Sequence, residues 1–177
     1  TLTLFAWDGI PATQYGQHTG RFSGRSQLGL LTIRTDDGVD GHAFLGASSR
    51  GGHLDAHSLI DHLKPRLMGQ NPLDRERLNR EMHKRARATT LRAIGAMDVA
   101  LWDIGGKIAG LPIHQLLGSA RNNLPAYASS PTLSSPDAYV EQALEFKAAG
   151  WAAYKIHPPT EWRTDIEVCR AVREAVG

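Results

Sequence analysis

Lys155 and His157, two basic side chains near the end of the chain, have the types and spacing that suit acid–base chemistry. They sit in the run Ala153-Tyr154-Lys155-Ile156-His157, part of a stretch that reads as a strand over residues 151–157. Alternate residues of a strand point the same way, so both basic side chains face one side and Ile156 the other. A lysine crowded by a second base or by a metal has a lowered pKa and can accept a proton near neutrality. A histidine needs no such help, its unperturbed pKa being about 6.5. Spacing alone leaves a second reading open, in which the lysine reaches solvent and the histidine closes a turn before Pro158-Pro159.

Other combinations carry less. Asp98 and Asp103 look like paired carboxylates, but their spacing on a helix turns them roughly 140° apart, so they share no site. Asp103 with Lys107 is an ordinary i,i+4 ion pair, and Asp98 is expected to bond locally. His53, His57 and Asp61 recur at intervals that would suit a metal on one helical face. His53, however, lies at or before the helix start, beside Gly51-Gly52, and a solvated face is expected instead. Gly105-Gly106-Lys107 has Leu101 and Ile108 where a phosphate loop needs glycine and Ser/Thr. The basic run Arg75, Arg77, Arg80, Lys84, Arg85, Arg87 is broken by Glu76 and Glu81 and reads as a charged helix surface.

The elements that must position these residues follow from pattern. Residues 2–7, 28–35 and 39–45 read as strands, and Asp36-Asp37-Gly38 joins the last two as a tight hairpin. Residues 46–52 are expected to form a loop. Helices are expected over 54–67, over 72–84 with Asn71 as cap and Pro72 in the first turn, and from about residue 89. Antiparallel strands followed by helices make an α+β domain. The third helix carries Ile94, Met97, Leu101, Ile104 and Ile108 three or four apart, and Met97, Leu101 and Ile108 are expected to be buried. Its mid-helix glycines each cost about 1 kcal/mol against alanine, so Gly105 or Gly106 should lie close to another backbone. Gly110 and Pro112 end the helix. Beyond Gly118 the pattern becomes strand (124–129), helix (136–149, capped by Ser135), strand (151–157) and helix (164–176). These are two βα units in parallel style.

The segment Ala93, Ala96-Met97-Asp98, Ala100, Asp103, Gly106-Lys107, Pro112-Ile113, Leu116-Leu117-Gly118 resembles the signature of the mandelate racemase/muconate lactonizing group of the enolase superfamily. The resemblance implies an α+β capping domain (residues 1–118, a three-stranded antiparallel meander plus helices). A (β/α)8 TIM-type barrel follows it, begun by the two βα units of residues 119–177. A barrel needs eight such units, so the chain is expected to be a truncated piece of a longer protein and inactive alone. Chemistry in the family is metal-assisted removal of a proton beside a carboxylate. The cofactor implied is Mg²⁺, with ligands at the ends of the third to fifth barrel strands, beyond Gly177.

Many members carry Lys-x-Lys at the end of the second barrel strand, the second lysine being the base and the first assisting at the substrate carboxylate. Here His157 stands in the second place, so Lys155 and His157 are the expected catalytic pair. A long loop over residues 13–24 lies where the family has a lid that helps choose the substrate, which makes Tyr15 and His18 expected substrate contacts. The activity implied is a sugar acid dehydratase, with a racemase, epimerase or cycloisomerase as the alternative. A non-catalytic binding or assembly module is the reading from another class. The resemblance also implies a small-molecule carboxylate substrate and a homo-oligomer.

Composition suits an ordinary globular protein: 177 residues, 41% hydrophobic and 21% charged. A net charge of +2 is too mild to suggest a nucleic-acid partner, and the lone Cys169 forms no internal disulfide. With no run of membrane-spanning length and no secretory signal, a cytoplasmic location is expected.

Overall fold

The computed structural model describes residues 2–11, 25–47 and 55–177. The chain divides into two compact units, one ending at Ala120 and the other carrying Arg121–Gly177.

In the first unit, strands β1 (Leu2–Pro11), β2 (Arg25–Arg34) and β3 (Asp40–Ala47) form an antiparallel sheet in that order. β1 runs to Pro11 rather than stopping at Trp7, because its pairing with β2 resumes at Ile10↔Ser26 after an irregularity. The β2–β3 hairpin closes with Thr35 N–H donating to the Val39 carbonyl at 3.0 Å, and Gly38 takes φ +82° in the turn. Leu31, Ala43 and Leu45 alternate onto the buried face, while Arg34, His42 and Phe44 are exposed.

Three helices cover that face. The first, α1, is not a regular α-helix over 54–67: a π-helical stretch (Ser58–Leu63) passes into an α-helical turn (Lys64–Leu67). Pro65, which has no N–H to give, sits where the wide turn ends. Helix α2 (Arg75–His83) starts later than Pro72. Asn71 spends its side chain on a local turn, accepting from Leu73 N–H at 3.0 Å, and Asp74 becomes the N-cap residue.

Helix α3 (Leu91–Ala109) is the signature helix. Thr90 caps it by accepting from Ala93 N–H at 3.1 Å. At the other end Gly110 is left-handed, with Leu111 N–H bonding to Gly106 O and Gly110 N–H to Lys107 O, the paired bonds of a Schellman ending. Ala93, Ile94, Met97, Leu101 and Ile104 join Leu31, Leu59, Leu63, Leu78 and Met82 in one core. Ile108 does not follow them. It is 49% exposed, because the last turn of α3 borders an open cleft with Ile33, Leu73 and Leu101 rather than filled core.

Gly106 lies close to another backbone as expected, at the Leu111 carbonyl, and a closer approach is made by a strand glycine. A Cβ on Gly41 of β3 would collide with the Ala100 carbonyl of α3, so the strand supplies the glycine that lets sheet and helix touch. A Cβ on Gly105 would meet the Arg75 guanidinium, which stacks 3.9 Å from the Trp102 ring centroid. A Cβ on Gly106 would meet Ile113 and the Leu111 carbonyl, in the helix's own exit. That exit continues as a single turn, α4 (Ile113–Leu116).

In the second unit, β4 (Ala128–Ser129) pairs in parallel with β5 (Tyr154–Lys155), in register Ala128↔Tyr154 and Ser129↔Lys155. Both strands are shorter than expected: ladder geometry is reached only where they lie side by side, from Ala128 N–H···O Ala153 to Ser130 N–H···O Lys155. Helix α5 (Pro136–Ala148) makes the crossover, capped by Ser135, and α6 (Trp162–Val176) follows β5 with Glu161 as its cap. Glu161 moves the start of α6 ahead of the expected Thr164. Tyr139 and Ala143 of α5 pack on Val168 and Val172 of α6, with Tyr154 and Ile156 of the strand segment against them.

Candidate active site

Tyr154 and Ile156 are committed to the helices, so strand alternation turns Lys155 and His157 to the opposite face. Tyr127 and Ser129 share that face from the neighbouring strand segment. Lys155 is exposed, its Nζ 5.9 Å from the Tyr127 ring centroid, at the outer limit of a cation–π contact.

His157 is half-buried and closely held. Its Nδ1 lies 2.6 Å from the Ser130 carbonyl oxygen and 3.3 Å from Ser129 Oγ. Its backbone N–H donates to Ser130 Oγ at 2.9 Å, and its carbonyl accepts from the Tyr139 hydroxyl at 2.7 Å. The same hydroxyl accepts from Leu133 N–H at 2.8 Å. The nearby Tyr154 hydroxyl donates to Gln142 Oε1 at 2.8 Å, and burial pushes its pKa above the ordinary range. Sequence reading found Lys155 and His157 but not Ser130 or Tyr139. The one available signal was Ser129-Ser130 just past the first strand, where a parallel neighbour ends beside it.

The other candidates separate. Tyr15, His18 and His53 lie outside the described residues. His57 and Asp61 form an exposed pair, Nδ1 to Oδ2 at 3.1 Å. Asp98 accepts from Asn79 Nδ2 at 2.9 Å, joining α2 to α3. Asp103 does more than pair with Lys107 at 2.7 Å: it also accepts from the His42 backbone N–H at 2.8 Å, and Lys107 donates to the Asp40 carbonyl. The pair therefore fastens β3 to α3. Among the described residues, no group of three or more His, Cys, Asp or Glu could hold a metal ion, and no helix is long and apolar enough to cross a membrane.

A helix-backed antiparallel sheet followed by parallel strand–helix units defines an α/β protein, of the class whose chemistry sits at the carboxyl ends of its parallel strands. Residues 17–118 match the model of the mandelate racemase / muconate lactonizing enzyme N-terminal domain. D-mannonate dehydratase from Sphingomonas sp. (strain SKA58) is 39% identical over 71% of this chain and 32% of its own length. Two solved structures are each 25% identical and cover the whole of this chain. They are D-glucarate dehydratase from Agrobacterium tumefaciens complexed with magnesium (TM-score 0.80) and a racemase from Streptomyces coelicolor A3(2) with bound magnesium (TM-score 0.84). The chain spans about a third of the matched dehydratase and about half of each solved structure. The chain belongs to the mandelate racemase/muconate lactonizing enzyme family of the enolase superfamily.

Proposed function

We propose that residues 1–118 form the capping domain, and residues 119–177 the opening of the barrel, of an enzyme that takes the α-proton from a small carboxylate substrate. The observation that supports this reading is the packing of Tyr154 and Ile156 against the helices, which by strand alternation leaves Lys155 and His157 to the other face. In a barrel that face is the interior. His157 is the base: its imidazole removes the proton on the carbon beside the substrate carboxylate, and the C–H electron pair moves into the carboxylate as an enediolate. Lys155 lies beside the developing negative charge and favours it.

Dehydration of a sugar acid is the preferred outcome, supported by the 39% identity to a D-mannonate dehydratase. The hydroxyl on the next carbon then leaves with a proton as water, and the enol product becomes a keto acid. Racemisation shares the first step, and the likeness to a racemase keeps it as the second reading. Magnesium in those two structures supports a cation in the full-length enzyme.

The test is exchange of the substrate α-proton with deuterium from solvent, followed by NMR on full-length protein with magnesium and a panel of sugar acids that includes D-mannonate. His157→Asn should abolish exchange, a loss of at least the 10²–10⁴-fold that general base catalysis typically supplies. Lys155→Met should slow it by roughly 10²-fold. Exchange at the wild-type rate in His157→Asn would remove His157 from the role of base.

A further inference from the structure

We propose that Ser130 and Tyr139 are positioning residues that lock the His157 ring with its hydrogen on Nδ1, so that Nε2 is the atom presented to the substrate. The inference rests on the reading of His157 as the base, and goes beyond it by naming the reacting nitrogen and what selects it.

The argument starts from the Ser130 carbonyl, 2.6 Å from His157 Nδ1. A carbonyl oxygen can only accept, so Nδ1 must carry the hydrogen. In a neutral imidazole the other nitrogen, Nε2, then holds the lone pair. An imidazole on a free chain exchanges between both tautomers, and here three further contacts keep the ring against this one oxygen. Ser130 Oγ holds the His157 backbone N–H at 2.9 Å. The Tyr139 hydroxyl holds the His157 carbonyl at 2.7 Å while accepting from Leu133 N–H at 2.8 Å. Ser129 Oγ stands 3.3 Å from Nδ1 on the strand side.

The holding side chains are built into the core: Ser130 is 1% and Tyr139 0% exposed. Tyr139 is anchored by packing on Ala143, Val168 and Val172. Pro158-Pro159 follows directly, with two fixed φ angles after the held residue. Residue 157 is thus fixed through its N–H, its C=O and its ring, and each fixing group belongs to β4, α5 or the segment between them. A base must offer its lone pair in the right direction before its pKa matters, and the wrong tautomer offers a hydrogen there instead.

The experiment is long-range ¹H–¹⁵N NMR on full-length protein labelled with ¹⁵N-histidine, without substrate and at a pH where the ring is neutral. The His157 signals are assigned by their loss in His157→Gln. The wild-type ring should show protonated Nδ1 and bare Nε2. Tyr139→Phe, which keeps the buried ring, and Ser130→Ala should each give a mixture of tautomers. Their exchange kcat should fall by roughly 10- to 100-fold, the usual effect of losing a partner that orients a functional histidine. KM should change by less than about twofold, because neither group touches the substrate. Ser130→Thr, which retains the hydroxyl, should restore both tautomer and rate.

A wild-type ring protonated on Nε2 would overturn the proposal. So would Tyr139→Phe and Ser130→Ala variants that keep both the Nδ1–H tautomer and the wild-type rate. If instead His157→Asn exchanges normally, the base assignment fails, while the tautomer spectrum still decides whether the lock exists.

Discussion

At Gly41 a methyl group would run into the Ala100 carbonyl oxygen and the Ile104 side chain, neither of which can swing aside. Gly41→Ala should therefore lower stability by about 1–3 kcal/mol or more, read from urea denaturation, because the strand must back away from α3. At Gly95, in the exposed part of the same helix, an added Cβ meets no atom within 4 Å. Gly95→Ala should raise stability by roughly 0.5–1 kcal/mol, since only backbone entropy and helix propensity change. Gly105 falls between. Its neighbour is the flexible Arg75 guanidinium, which can leave the Trp102 ring at a cost of about 0.5–1 kcal/mol, near what the helix gains. The order Gly95→Ala above wild type, Gly105→Ala near it and Gly41→Ala below it is the expected result. If Gly41→Ala melts with the wild type, the strand and helix are not in contact there.

Helix ends carry two further tests. Asp55, fully buried, accepts from the Thr90 hydroxyl at 2.8 Å and from Arg92 Nε at 2.6 Å, and so ties the start of α3 to the residues that open α1. Asp55→Ala should cost toward the lower end of about 3–5 kcal/mol, since the partly exposed Arg92 can turn to water. At α6, Glu161 accepts from Thr164 N–H and from its hydroxyl, and the backbone bond above all holds the carboxyl below the usual glutamate range. A carboxyl with a lowered folded pKa stabilises fully above the unfolded pKa and loses that contribution as pH falls through the folded one. The protection of the Thr164 amide, relative to its intrinsic exchange rate at each pH, should accordingly fall on acidification in the wild type, and be low and free of that step in Glu161→Ala.

These ends also show what was legible in advance. The hairpin at Asp36-Asp37-Gly38 and the caps at Ser135 and Gly110 lie within a few residues of what they bond, so local chemistry announced them. The turn of Ile156 toward the helices was legible too, since it follows from the period of a strand. The start of α2 was misplaced because Asn71 has two local options, a cap or a turn, and it takes the turn. Asp55 and Gly41 were missed because their partners lie far off in sequence, at Thr90 and Ala100. Ser130 escaped notice for the same reason, and because part of its role is played by a backbone carbonyl that any residue would bring.

At the scale of the molecule, the proposed proton abstraction needs the charge of a carbanion-like intermediate to be balanced. The 177 residues of this chain carry a net charge of only +2, so they contribute no broad positive field. Lys155 gives one local positive charge, and a poorly acidic C–H calls for a stronger electrophile as well. The similar dehydratase and racemase structures hold magnesium, whereas among the described residues of this chain no group of three or more His, Cys, Asp or Glu comes together. The carboxylates of the signature helix are already committed, Asp98 to Asn79 and Asp103 to His42 and Lys107. Removing the cation from full-length protein with a chelator should therefore stop α-proton exchange, and added magnesium should restore it. Asp98→Asn and Asp103→Asn should require the same magnesium concentration for half-restoration as the wild type. Asp103→Asn should nevertheless melt earlier, because it weakens the joint between β3 and α3. A magnesium requirement shifted by tenfold in either variant would place that carboxylate at the cation and reassign α3 from scaffold to site.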